Sequence, residues 1–132
     1  MQTVSTSAKE YSVLIYSHQP EVIEKIQNAI GPRPSETATI EYLSATDYDD
    51  VLAAVDKYSL DLVIFDGEAQ PMGGLGAVRQ LRDEAETIPK SLVIVARSAD
   101  QWLGAWSGAD AVITHPLDPI QTGKRVVELL EQ

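Results

Sequence analysis

The chain has no cysteine, and its 132 residues include only one phenylalanine and two tryptophans. Without cysteine there can be no disulfide framework, thiol nucleophile or thiolate-bound zinc, a composition suited to a reducing compartment. Positive charge is scarce: 10 Lys and Arg stand against 20 Asp and Glu, a formal net charge of -10. Such a chain repels polyanions. The pairs Arg79/Arg82 and Lys124/Arg125 read as solvated helix faces, so no nucleic-acid partner is expected. Long hydrophobic runs are also missing. No apolar stretch approaches the roughly 20 residues of a membrane span, and residues 1–10 are polar and small, without the basic and apolar regions of a secretion signal. The expectation is a cytoplasmic protein without membrane contact, with a polar segment at 1–10 and one domain over 11–132.

What is present is a βα repeat. Five apolar, β-branched runs, at 11–16, 39–43, 60–65, 92–96 and 111–114, alternate with segments of helical character. Val13-Leu14-Ile15, Leu62-Val63-Ile64-Phe65 and Leu92-Val93-Ile94-Val95 are continuously apolar, as strands buried on both faces of a parallel sheet should be. Thr39-Ile40-Glu41-Tyr42-Leu43 mixes polar and apolar residues and suits an edge strand. Pro20 opens a helix that carries Val22, Ile23, Ile26 and Ile30 at helical spacing and stops at Gly31-Pro32. Asp47 caps a second helix with Val51, Leu52 and Val55 inward, and Leu75, Val78, Leu81 and Arg82 outline a third. A fourth, about two turns long, must fit within 100–107 around Gly104. A last helix follows Pro119, with Ile120, Val126, Val127, Leu129 and Leu130 as its apolar stripe.

Right-handed crossovers between such units give an open, doubly wound α/β sheet with helices on both faces, whose binding crevice lies at the carboxyl ends of the strands. That rule directs attention to Ser17 and His18, Asp66 through Gly74, Val95 through Ser98, and Thr114 through Pro116. Pro71-Met72-Gly73-Gly74 reads as a turn, because it lacks both the Lys-Ser/Thr of a P-loop and the GxGxxG of a dinucleotide site. No nucleophile elbow or oxyanion hole accompanies Ser17, His18 and Asp66, so an enzyme is not expected.

At these strand ends the sequence resembles bacterial response-regulator receiver domains of the CheY type, over essentially 11–130. Asp61-Leu62-Val63-Ile64-Phe65-Asp66 followed by Pro71-Met72-Gly73-Gly74-Leu75 is similar to the receiver strand that ends in its acceptor Asp, with the loop that leads into the third helix. Gly108 to Pro119 resembles the stretch where receivers place a Lys-Pro pair after the fifth strand. The resemblance implies a five-stranded parallel sheet of order 2-1-3-4-5, a role in phosphorelay signalling with a histidine kinase as possible partner, and Asp66 as the phosphoacceptor-like residue. It also implies Mg²⁺, if the domain is competent for phosphorylation. The family holds that ion with paired carboxylates after the first strand, where this chain has Ser17 and His18. Val95 occupies the usual hydroxyl position after the fourth strand, with Ser98 nearby, and His115, after Thr114, replaces the lysine. Glu68 could lend a carboxylate if it turned inward, although the family uses a backbone carbonyl there.

Asp66 therefore reads either as a phosphoacceptor or as an inherited carboxylate bonded to loop amides or to an imidazolium from His18 or His115. A third reading joins His18, Asp66 and His115 into a transition-metal site. Trp102 and Trp106, four residues apart, read as core packing for at least one ring. An exposed ring would mark an interaction face of the fourth helix, fifth strand and last helix. With no segment after that helix, output is expected through a protein partner or self-association. The preferred reading is an atypical, stand-alone receiver that acts as an interaction module, with weak or no phosphorylation at Asp66.

Overall fold

The computed structural model describes residues 8–69, 73–85, 87–97, 100, 102 and 107–132. Five strands, β1 (Lys9–Tyr16), β2 (Ala38–Ala45), β3 (Leu62–Asp66), β4 (Lys90–Val95) and β5 (Ala111–Thr114), form one parallel sheet in the order β2-β1-β3-β4-β5. Four helices are described: α1 (Pro20–Ile30), α2 (Tyr48–Lys57), α3 (Gly74–Glu84) and α4 (Pro119–Leu130). Among the described residues no helix is long and apolar enough to cross a membrane.

Alternation along the strands sorts the apolar side chains into two cores, one on each face of the sheet. Val13, Ile15, Leu62, Ile64, Leu92 and Ile94 point to the side covered by α1 and α4, where they meet Ile26, Val126 and Leu129. Leu14, Tyr16, Val63, Phe65, Val93 and Val95 point to the other side and meet Val51, Val78 and Leu81 of α2 and α3. The mixed strand β2 lies at the edge of the sheet, as its polarity predicts.

Helix boundaries follow the local signals. Pro20 occupies the first turn of α1, and Gly31, at φ 82°, ends it. The Asp47 carboxylate accepts from the amide of Asp50 at 2.8 Å, and Asp118 caps α4 by accepting from the amides of Ile120 and Gln121. Strand limits move more. β1 starts two residues before the expected 11, because Lys9 and Glu10 pair with Ala38 and Thr39 through their backbones whatever their side chains. β3 runs 62–66 instead of 60–65, since Asp66 still pairs with Ile94.

One side-chain assignment is corrected. Ile120 is not part of the inward stripe of α4: it is 73% exposed, and the buried positions are Thr122, Gly123, Val126, Leu129 and Leu130. Ile120 stands two residues before Thr122, nearly the opposite side of a helix with 3.6 residues per turn. The expected short helix at 100–107 lies mostly outside the described residues.

Candidate functional site

The parallel register of the two central strands builds the site. β1 and β3 pair Ile15 with Ile64 and Tyr16 with Phe65, so the next residue of each chain, Ser17 and Asp66, stand side by side. By alternation both point to the same face of the sheet as Ile15 and Ile64. Ser17 is fully buried and Asp66 is 3% exposed. Burial of a carboxylate is costly unless hydrogen bonds replace water, and here both oxygens are served. The Ser17 hydroxyl donates to Asp66 Oδ2 at 2.8 Å, and the Glu68 amide donates to Oδ1 at 2.9 Å.

Ser17 is itself fixed. The amide of Gln19 donates to its Oγ at 3.1 Å, so the hydroxyl accepts from its own loop and aims its proton at Asp66. Two glycines let the opposite wall come close: a Cβ at Gly67 would stand 2.6 Å from the Ile94 carbonyl oxygen, and one at Gly74 would stand 2.5 Å from that of Asp66. The amide of Gly67 donates to the same Ile94 oxygen at 2.7 Å, and Ala69 donates to the Asp66 carbonyl at 3.1 Å. Tyr16, packed edge-on against Phe65 with ring centroids 6.1 Å apart, is buried beside this pocket. Its phenol is pushed above the usual tyrosine range, chiefly by burial and further by the negative charges of Asp47 and Asp66.

The remaining predicted residues occupy the same end of the sheet in different ways. Val95 ends β4, buried, and its carbonyl accepts from the amide of His115 at 3.0 Å. Thr114 pairs with Val95 and is half-buried. His18 and His115 are exposed, and the His115–Pro116 peptide bond is cis. Glu68 is exposed as well: it serves the site through its amide, and its carboxylate does not turn inward. Trp102 is 68% exposed. Ser98 and Trp106 lie outside the described residues.

Among the described residues no three His, Cys, Asp or Glu side chains come together to hold a metal ion. The triad His18, Asp66 and His115 is thereby corrected, because two exposed imidazoles and one buried carboxylate do not converge. Mg²⁺, which takes hard and preferably anionic oxygens, fares no better. Among the described residues the pocket offers the Asp66 carboxylate, and the buried hydroxyl of Ser17 beside it points a proton at that carboxylate. These residues do not fit a Mg²⁺ site. The contributions of Gln19 and Tyr16 have no signal in the sequence, whereas Gly74 falls in the Gly-Gly pair that the sequence marks as a turn and that leads into α3.

The chain is 37% identical over 125 residues to an uncharacterized response regulatory protein of Mycobacterium tuberculosis, covering 94% of both chains. It is 30% identical over 97 residues to the aerobic respiration control protein ArcA of Escherichia coli, covering 74% of this chain and 41% of ArcA. The receiver domain of the Francisella response regulator 1452 matches its fold with a TM-score of 0.76 at 18% identity, over 92% of this chain and 97% of that one. The receiver domain of NtrX from Brucella abortus matches with a TM-score of 0.75 at 17% identity, over 91% and 98%. No family model matches the chain.

Proposed function

Because the chain belongs to the response-regulator family and is a receiver domain of two-component signalling, we propose that it is an atypical receiver acting as a protein-interaction module, with weak or no phosphorylation at Asp66. One observation carries this reading: the Ser17 hydroxyl donates to Asp66 Oδ2 at 2.8 Å, at the strand end where phosphotransfer would need a second hard anionic ligand. A neutral donor supplies what a cation otherwise would for the buried carboxylate, but it cannot neutralise the oxygens of an incoming phosphoryl group. Receiver domains are signalling modules, and the output of this one is a contact with a protein in the cytoplasm. The exposed indole of Trp102 supports an interaction face that it forms with β5 and α4.

A second reading is favoured by the position of Asp66 itself. It ends a central strand at the crevice of a doubly wound sheet, where it could take a phosphoryl group from a histidine kinase or a small donor. Intact mass after incubation with acetyl phosphate and Mg²⁺ separates the two, with Asp66→Asn alongside. An adduct in the protein that is absent from Asp66→Asn would establish the second reading. No adduct in either, while a conventional receiver labels under the same conditions, supports the interaction module.

A further inference from the structure

The C-terminal helix starts with a large apolar side chain in water. Ile120, on the first turn of α4, is 73% exposed, although Thr122 and Gly123 immediately after it are buried. Beside it runs an open groove of about 350 Å³ between α1 and α4, with Ala29, Pro34 and Gly123 among its walls. Gly123 keeps the groove open, since its position lacks the side chain that would fill the space toward Pro34, whose Cβ is 3.8 Å from where a Cβ would stand.

Two cations, Arg33 and Lys124, line the same groove, and no acidic residue does among the described residues. Lys124 follows Ile120 by four residues and shares its face of the helix. Among the described residues neither cation forms a salt bridge: those present are Arg97–Asp100 and Arg125–Glu128. The Arg33 guanidinium reaches a backbone oxygen, that of Glu36, at 3.0 Å. In a chain of net charge -10, an apolar side chain flanked by two cations, neither in a salt bridge among the described residues, is a local reversal of sign.

We propose that this groove docks an acidic segment of a partner protein, one aliphatic side chain packing against Ile120 over Gly123 while flanking carboxylates meet Arg33 and Lys124. Charge complementarity selects that occupant. A second copy is disfavoured, because a two-fold contact through this face would bring Arg33 and Lys124 against their own counterparts and add the repulsion of two acidic chains. Nucleic acid is disfavoured by the same net charge. The site shares no residue with the Asp66 pocket, goes beyond the reading given above, and stands whether or not Asp66 accepts a phosphoryl group.

The test is a titration followed by amide chemical shifts. The probe is a short helical peptide with leucines on one face and glutamates beside them, and its twin carries lysine for every glutamate. The acidic peptide should shift the amides of Ala29, Gly123 and Lys124, bind more weakly as salt is raised, and outcompete the twin. Ile120→Asp and the double variant Arg33→Glu/Lys124→Glu should each weaken binding by about tenfold, and the double variant should now accept the lysine twin. Thermal melting should be unchanged in Ile120→Asp, because that side chain is exposed. Asp66→Asn should bind as the unaltered protein does, which keeps this result separate from the chemistry of Asp66. Equal binding of both peptides, or no localised shifts at millimolar acidic peptide, overturns the proposal. Shifts of the same amides with protein concentration alone would also overturn it, giving the face to a second copy.

Discussion

Gly74 lies so close to Asp66 that a methyl group on its Cα would stand 2.5 Å from the Asp66 carbonyl oxygen and 2.7 Å from the carbonyl carbon. The neighbour is backbone, so no side-chain rotation can relieve the contact. Gly74→Ala is therefore expected to lower stability by about 1–3 kcal/mol, as overpacking does, and to displace the loop that follows β3. Urea denaturation checks the first effect and the amide shifts of Gly67 and Glu68 the second. A midpoint unchanged from the unaltered protein would mean that the loop has slack that the close approach does not suggest.

Removing the hydroxyl that serves Asp66 leaves a buried carboxylate short of a donor. Ser17→Ala is expected to cost about 1–3 kcal/mol, and a double-mutant cycle with Asp66→Ala should return a coupling of about 0.5–3 kcal/mol. Additive single effects would show that the 2.8 Å contact contributes nothing.

The same position governs the response to metal. Millimolar Mg²⁺ should leave the melting temperature of the unaltered protein where it is. In Ser17→Asp/His18→Asp, two added carboxylates crowd Asp66, so the variant should melt lower without metal and recover as Mg²⁺ is added. A rise with Mg²⁺ in the unaltered protein would count against the ligand argument made from Ser17.

Alkaline pH should unfold the protein through its tyrosines. Tyr42 and Tyr48 are both held above the ordinary tyrosine value of 10.0, Tyr42 by burial, and Tyr48 by burial and then by its hydrogen bond to Glu84. Tyr16 shifts the same way. The folded protein therefore keeps phenolic protons that the unfolded chain has already released. The stability linked to them is complete below about pH 10 and falls as pH rises above it. Denaturation midpoints across that range, in the unaltered protein and in Tyr42→Phe, measure the effect: the variant should lose stability at neutral pH, through its lost 2.6 Å bond to the Gly31 carbonyl, and show a shallower alkaline decline. Parallel curves would show that Tyr42 is not one of the groups responsible.

The last turn of α4 is held from the sheet. Lys90 Nζ, at the start of β4, donates to the carbonyl of Leu129 at 2.8 Å and to that of Gln132 at 3.3 Å, satisfying oxygens that a helix end leaves open and adding a cation where the helix dipole favours one. Lys90→Met keeps the stem and loses the donor, and should cost about 1 kcal/mol with faster amide exchange confined to the end of α4. Uniform exchange along α4 would mean that the tie is not local.

What was legible in the sequence was what neighbours in the chain decide. Pro20 and Gly31 bracket α1, Asp47 caps α2, Pro119 opens α4, and the continuously apolar runs around Ile15, Ile64 and Ile94 became the central strands. Asp66 at the end of β3 was legible for the same reason. Its partner was not: the bond from Ser17 depends on a register set across 49 residues, and a histidine beside a carboxylate reads more loudly in a sequence than a serine does. Glu68 was legible as a neighbour of Asp66 but not as an amide donor, because every residue has an amide. Ile120 misled because its type suits a core, whereas its phase on the helix faces water.

The sheet ends on one side at β2, eight residues long, where the preceding loop already takes two outward amides: Ala38 donates to the carbonyl of Ser35 and Ile40 to that of Pro32. Beyond those two residues the edge is a template for any extended chain that drifts against it, and continued pairing there would seed growth from sheet to sheet. Halfway along it stands Glu41, exposed, between the buried Ile40 and the half-buried Tyr42. Its carboxylate would have to shed water, or meet its own copy, before another sheet could add. The residue that gives β2 the mixed pattern of an edge strand in the sequence thus also stands where it opposes the recruitment of a neighbour.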